Sequence, residues 1–198
     1  MDTKTWGPNA WAYLHGSAAA LPTHLPPRMA TAYSCMLGAL RHVLPCVYCR
    51  CSMGAFAQTL SLHPRTRADA EATVWELHNR VNAKLWKPRQ PFEMAQTVGR
   101  TSDWRAAGFN FLSYIALNLP RADRDAAVAF ARHVVASWPD TQQRAFLTER
   151  LPKLRSHDMF GWLCQTRCAL NKQPSMTSRE LRPHFEAARV RTRRKPSK

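Results

Sequence analysis

Pro45-Cys46-Val47-Tyr48-Cys49 sets two cysteines three residues apart behind a proline. That spacing brings both sulfurs to one face of a helix start, close enough to bridge, where the free N–H groups of the first turn favour a thiolate. Alone the pair is ambiguous, because zinc sites use the same spacing. Two stretches outside it bear on the question. Upstream runs Trp6-Gly7-Pro8-Asn9-Ala10-Trp11-Ala12-Tyr13-Leu14-His15. Downstream runs His78-Asn79-Arg80-Val81-Asn82-Ala83-Lys84, continuing into Leu85-Trp86-Lys87-Pro88. Trp11 and His15 are four apart, as are His78 and Asn82, so each pair shares a helix face. Such faces offer flat rings and polar donors to a flat heteroaromatic ligand.

Strand signals are nearly missing, and the fold class read from the chain is all-α. Apolar residues at spacings of three and four predict helices over 9–21, 29–44, 46–62 and 68–85. Pro22, Pro26, Pro27 and Pro45 punctuate the first three. Together they make a four-helix bundle.

The order W-G-x-x-x-W-x-x-L-H, then P-C-x-x-C, then H-N-x-V-N-x-K resembles the Erv/ALR family of FAD-linked sulfhydryl oxidases, over roughly residues 3 to 95. The resemblance implies a small helical domain that holds FAD. It would oxidise the dithiol of a protein or thioredoxin-like substrate and pass the electrons to molecular oxygen, giving hydrogen peroxide. It implies that Cys46 is the outer sulfur, attacked by substrate, and that Cys49 is the flavin-proximal one. It implies a cofactor site walled by Trp6, Gly7, Trp11 and His15 on one side. The other side would be His78, Asn79, Val81 and Asn82, with Lys84 and Lys87 facing the diphosphate. The chain departs from the pattern in three places. Leu44 stands where an aromatic residue is common, and Trp86 where the family often has glycine. Asp69 and Trp75 stand near the positions of a structural disulfide, so that bridge is expected to be absent and packing to replace it.

The second half repeats the first faintly. Trp6, Trp11, Leu14, Leu21 and Pro22 align with Trp104, Phe109, Leu112, Leu119 and Pro120 at a constant offset of 98. Leu44-Pro45-Cys46 aligns with Trp138-Pro139-Asp140, and Trp75 to Asn79 aligns with Trp162 to Thr166. Packing residues persist while site residues do not: His15 becomes Ser113, His78 becomes Gln165 and Asn82 becomes Ala169. The expected organisation is a catalytic domain over 1–97, a degenerate helical copy without flavin over 98–178, and a basic, unfolded tail over 179–198. A fused copy would cover the face through which single domains of this kind pair, making a pseudo-dimer within one chain, unless the chain pairs again as a homodimer.

The chain of 198 residues carries 29 Lys and Arg against 13 Asp and Glu, a net charge of +16. Part of this sits in the tail, whose end Arg191-Thr192-Arg193-Arg194-Lys195-Pro196-Ser197-Lys198 has no apolar residue. It reads as a solvated tail or as a contact for nucleic acid by charge alone, without base stacking. No apolar run approaches twenty residues, so no membrane span is expected. The first motif begins at residue 6, leaving no room for a signal peptide. The location expected is therefore the host cytoplasm or a virion, with the mitochondrial intermembrane space as the alternative. Cys164 and Cys168 are the other close pair, readable as a shuttle disulfide or as apolar packing. Cys35 and Cys51 read as bystander or buried thiols. The rival from another class is a zinc-stabilised binding module using Cys46, Cys49, Cys51 and His42. It leaves the two flanking motifs without a reason, so no metal site is expected.

Overall fold

The computed structural model describes residues 3–171 and 178–186. Over them the chain forms ten α-helices and no strand, only an isolated bridge between His24 and Thr66. The first five helices are α1 (Thr3–Ala20), α2 (Pro27–Val43), α3 (Val47–Phe56), α4 (Arg67–Lys84) and α5 (Phe92–Thr101). The second five are α6 (Trp104–Asn118), α7 (Arg124–Ala136), α8 (Thr141–Arg150), α9 (Met159–Leu170) and α10 (Ser178–Glu186). The all-α expectation holds.

Local chemistry sets the ends. Pro27 opens α2 at a position where its missing N–H costs nothing. Pro45 forces Leu44 into extended backbone, at ψ 135, and stops the same helix. A capping box starts α4: the Thr66 hydroxyl accepts from the Asp69 N–H at 3.1 Å, and the Asp69 carboxylate accepts from the Thr66 N–H at 2.9 Å. Asp69 thus ties the end of the helix where a disulfide was looked for. Trp75 ties its middle, donating its indole N–H to the Gln90 carbonyl at 2.8 Å and meeting Phe92 edge-on.

Within the first five helices, α1 packs on α4 and α5, α2 on α3, and α4 on α5. Within the second five, α6 packs on α9 and α10, α7 on α8, and α9 on α10. Adding five to each label carries the four pairings of the first set into the second, which adds α6 on α7 and α8 on α9. The two sets meet through α1 on α6 and α2 on α7, each of these two facing the helix five places later. Tyr13 and Phe111, 98 residues apart, bring their rings to 6.4 Å. Gly108 makes room there, since a Cβ on it would lie 2.8 Å from the Tyr13 ring. Gly16 likewise admits Trp104, whose Cβ would stand 2.3 Å from an added Cβ. Trp138 is fully buried against Tyr13, Trp104 and Phe109, and one apolar core runs through both sets.

Several boundaries differ from the sequence reading. Helix α1 begins at Thr3 and passes through Pro8 near its start, and α3 ends at Phe56 rather than running to Leu62. The sequence reading did not include α5, and the boundary expected at 97/98 falls inside it. Helix α10 occupies the first part of the segment expected to be an unfolded tail. Its Phe185 is buried against Tyr114 and Phe160, at 5.1 and 5.8 Å. The basic run Arg191–Lys198 lies outside the described residues.

Candidate functional site

Cys46 is the residue that caps α3. Its Sγ accepts the Cys49 backbone N–H at 3.4 Å, and both thiols are free. The two sulfurs share the helix start, as the spacing implied. Cys49 is half-buried, and its thiol is pushed up to about 12, first by burial and then by the hydrogen bond and charge of Cys46. The Lys84 ammonium opposes this. Met53 is the one fully buried residue of α3, and Cys49 and Phe56 pack partly buried against the core. Polar links supply the rest. Lys84 donates to the Ser52 hydroxyl, Arg80 reaches the Phe56 carbonyl and the Thr59 hydroxyl, and Arg50 pairs with Asp123 at 2.8 Å. Asp123 lies immediately before α7, so the second five helices hold the dithiol helix directly.

The second cluster joins α1 to α4. His15 Nε2 and His78 Nδ1 stand 2.9 Å apart, and the Trp11 indole stacks on the His78 ring at 3.9 Å and 6°. Burial pulls both imidazoles down to about 4. The His78 charge adds to the effect at His15, and Lys87 adds to it at His78. Both rings are therefore neutral at pH 7, and one must donate to the other. Helix α5 fixes this cluster from behind. Gly99 lies so close that a Cβ there would meet the His15 carbonyl oxygen at 2.8 Å. Sequence reasoning missed this support, although Ala95 and Gly99, the buried pair of α5, carried a signal in their four-residue spacing.

Trp11, His15 and His78 come together as expected. Asn82 lies one turn beyond His78, 6% exposed, and its amide makes no hydrogen bond among the described residues. With half-buried Val81 beside it, and Lys84 and Lys87 exposed at the end of the helix, the set fits a flat, anionic cofactor such as FAD. Three expected residues stand elsewhere. Trp6 is buried against Phe111 of α6, its ring centroid 6.1 Å away. Gly7 is buried in the same turn of α1. Asn79 spends its side chain on Gln90, donating to its carbonyl at 3.2 Å and accepting its N–H at 2.8 Å. That ties down the loop after α4.

The end of α4 explains how tryptophan stands where glycine is common. The Lys87 N–H bonds the Asn82 carbonyl at 2.9 Å and the Trp86 N–H bonds that of Ala83 at 3.1 Å. This is a Schellman ending, and it requires a left-handed residue at Trp86, which has φ 55. The path is retained at a cost of roughly 1–2 kcal/mol that glycine would not incur.

Cys164 and Cys168 are buried in α9, and burial pushes the Cys164 thiol up to about 11. Burial suits packing and does not suit a relay. Cys35 and Cys51 are both exposed, whereas burial was one of the two readings for them. The zinc set is not assembled: among the described residues no three His, Cys, Asp or Glu side chains come together, and the His42 ring accepts from Arg41.

The helical module thus carries a capping dithiol at the start of α3 and a wall of paired imidazoles and indole between α1 and α4. Residues 8–105 match the Erv1 / Alr family, and over this half the chain belongs to it. The matched stretch holds every residue expected at the site except Trp6 and Gly7. The chain is similar to the mitochondrial FAD-linked sulfhydryl oxidase ERV1 of Saccharomyces cerevisiae. Identity is 26% over 88 residues, which are 44% of this chain and 47% of that protein. The match thus spans about half of the relative's length. No solved structure matches the chain.

Proposed function

We propose that the protein is an FAD-linked sulfhydryl oxidase that makes disulfides in protein dithiols. The observation that carries this is the capping pair Cys46 and Cys49, placed in one helical module with the His15–His78–Trp11 wall. In this reading a substrate thiolate attacks Sγ of Cys46 in the oxidised pair. The Cys46–Cys49 bond breaks and Cys49 leaves as thiolate. The second substrate thiolate then attacks the substrate-side sulfur of the mixed disulfide and releases Cys46. The substrate loses two electrons and two protons, and the Cys46–Cys49 pair gains them. FAD, when bound, would supply the acceptor for these electrons and their route to oxygen, with hydrogen peroxide as the product. Burial makes Cys49 a reluctant thiolate, and Lys84 is the charge beside it that offsets this. Trp11, His15, His78, Val81 and Asn82 would hold the ring systems, with neutral imidazoles adding no charge. Lys84 and Lys87 would hold the diphosphate.

The second five helices are, in this reading, a degenerate copy that completes a pseudo-dimer. The matching pairwise packing supports it, as does the contact of Tyr13 with its own counterpart Phe111. Sedimentation should give a monomer, and a stable homodimer would count against the pseudo-dimer. For location, the yeast relative's mitochondrial address keeps a mitochondrial setting beside the cytoplasmic or virion one. No described helix is long and apolar enough to cross a membrane.

The test of function is colour and turnover. Purified protein should be yellow and consume oxygen with dithiothreitol. Cys49→Ser should keep the flavin and lose the turnover. A colourless preparation, or full activity in the variant, would sink the reading.

A further inference from the structure

The dithiol turn and its counterpart in the second half carry an arginine at the same place. Arg50 follows Cys46 by four residues, and Arg144 follows Asp140 by four. Each donates its backbone N–H to the carbonyl of the residue that caps its helix, at 3.0 and 2.8 Å. The side chains then differ. Arg144 turns back on its own turn, donating to the Trp138 carbonyl at 2.7 Å and to the Thr141 hydroxyl at 3.3 Å. Arg50 touches the His42 carbonyl at 3.5 Å and reaches across to the second half, where it pairs with Asp123 at 2.8 Å. Of two matching turns, the one with the sulfurs is thus held by a carboxylate from the other half.

Asp123 forgoes another bond for this contact. It is the cap residue of α7, where an aspartate ordinarily accepts a backbone N–H of its own helix. Asp103 and Asp140 do so at α6 and α8, accepting from Ala106 and Gln143 at 3.1 and 2.9 Å. The Asp123 carboxylate makes no such bond and is turned to α3 instead. The cap residue of α2, the helix that matches α7, is Pro26, which has no carboxylate to offer Arg144. Packing does not replace the ion pair. Helix α3 packs on α2, and between α3 and α7 lies an open groove of about 490 Å³ walled by Val47, Gly54, Ala122 and Ala126 beside the pair itself.

We infer that Asp123 is a positioning residue for the dithiol: through Arg50 it holds the first turn of α3, so that the sulfurs of Cys46 and Cys49 stay close enough to bridge. The inference rests on the oxidase reading and gives the second half a part in the reaction beyond covering a face. Arg50 transmits the hold because it adjoins Cys49 and its own N–H closes the turn onto the Cys46 carbonyl. A held turn keeps the two thiols together and favours the disulfide. A frayed turn lowers the effective concentration of one thiol at the other and favours the dithiol.

The test is the equilibrium of the full chain with glutathione, oxygen excluded, read by alkylation and mass spectrometry. Two glutathione thiols reduce the Cys46–Cys49 disulfide to the dithiol and become one glutathione disulfide. Asp123→Asn should shift this equilibrium about threefold towards the dithiol, the size open to a partly exposed ion pair. Hydrogen exchange at the Cys49 and Arg50 amides should quicken by a similar factor, with α4 unchanged. The melting temperature should move by less than about 4 °C. Asp123→Glu, which keeps the charge, should stay closer to the wild type than Asp123→Asn does. Arg50→Gln should reproduce the shift alone and add nothing in the Asp123→Asn background. Arg144→Gln should leave the equilibrium at its wild-type value. Additive effects of the Arg50 and Asp123 variants would overturn the inference. So would an unmoved equilibrium in Asp123→Asn, an equal shift in Arg144→Gln, or faster exchange spread evenly over the chain. Failure of the wild type to bind flavin or to oxidise dithiothreitol would instead strike the oxidase reading, and the glutathione equilibrium would still decide the role of Asp123.

Discussion

The starts of α3 and α8 are built alike and end in different atoms. Each follows a proline, Pro45 in one and Pro139 in the other. Each is capped by its first non-helical residue. The Cys46 sulfur accepts the Cys49 N–H at 3.4 Å, and the Asp140 carboxylate accepts the Gln143 N–H at 2.9 Å. A carboxylate is among the best caps, and that of Asp140 is held below its ordinary pKa, first by the Gln143 N–H and then by Arg105. A thiol is a poor cap. The first half therefore keeps a weaker helix start in exchange for a sulfur that can exchange disulfides. In the second, the aligned turn carries the stronger cap. The halves are not independent, because the Arg50–Asp123 pair pins the weakly capped helix to its neighbour.

The largest effect expected from this comparison follows from copying one cap onto the other. Cys46→Asp should abolish dithiol oxidation and melt no lower than the wild type, because the cap improves as the nucleophile goes. Cys46→Ala should also abolish turnover, and it should lose about 1 kcal/mol of stability with the cap. Oxygen uptake and thermal melts measure both. Surviving turnover in Cys46→Asp would break the assignment of the outer sulfur. A large fall in its stability would break the comparison of the two caps.

The histidines come next in size. His15 and His78 have no titrating counterparts, since Ser113 and Gln165 occupy the aligned positions. Both imidazoles sit at about 4 in the folded chain against an ordinary 6.5. Between those values the unfolded chain binds protons that the folded chain does not. Stability from the pair is thus fully present above about pH 6.5 and is lost as pH falls through about 4. The double variant His15→Ser with His78→Gln should flatten the melting temperature across that window. His133, also lowered by burial, remains in both proteins, so their difference isolates the pair. Parallel curves would mean that the pair is not what acid disrupts.

The comparison also shows how far the sequence reached. The limits of α4, and of α2 to within two residues, were legible because their signals are local: Pro27, Leu44-Pro45, and Thr66 with Asp69. Helix α1 starts six residues before the apolar spacing that predicted it, and passes Pro8 because a proline near a helix start displaces few bonds. Helix α5 buries only Ala95 and Gly99, so its reason for existing is the α1 surface it covers. At the site, the Cys46–Cys49 geometry was legible from spacing alone. The His15–His78 contact, across 63 residues, entered only through the family resemblance. Trp6 and Asn79 entered as ligand residues through the resemblance, and their contacts with Phe111 and the Gln90 backbone join segments whose placement no local pattern gives.

Trp6 gives the smallest effect and the cleanest separation of scaffold from site. Its aligned partner Trp104 keeps an Arg105 guanidinium 4.7 Å over its ring. Trp6 is buried on Phe111 with an indole N–H that has no partner. An unpaired buried donor contributes a penalty, whereas an apolar ring of similar shape does not. Trp6→Phe should therefore leave stability unchanged or raise it by less than about 1 kcal/mol, the lost area offsetting part of the gain. Flavin retention and dithiothreitol oxidation should stay at wild-type levels, because the ring faces α6 and not the imidazole wall. Trp11→Phe, which changes the ring stacked on His78, should reduce flavin retention. If Trp6→Phe releases flavin as readily as Trp11→Phe, Trp6 is a cofactor residue after all, and the division between the α1 face that meets α6 and the α1 face that meets α4 must be redrawn.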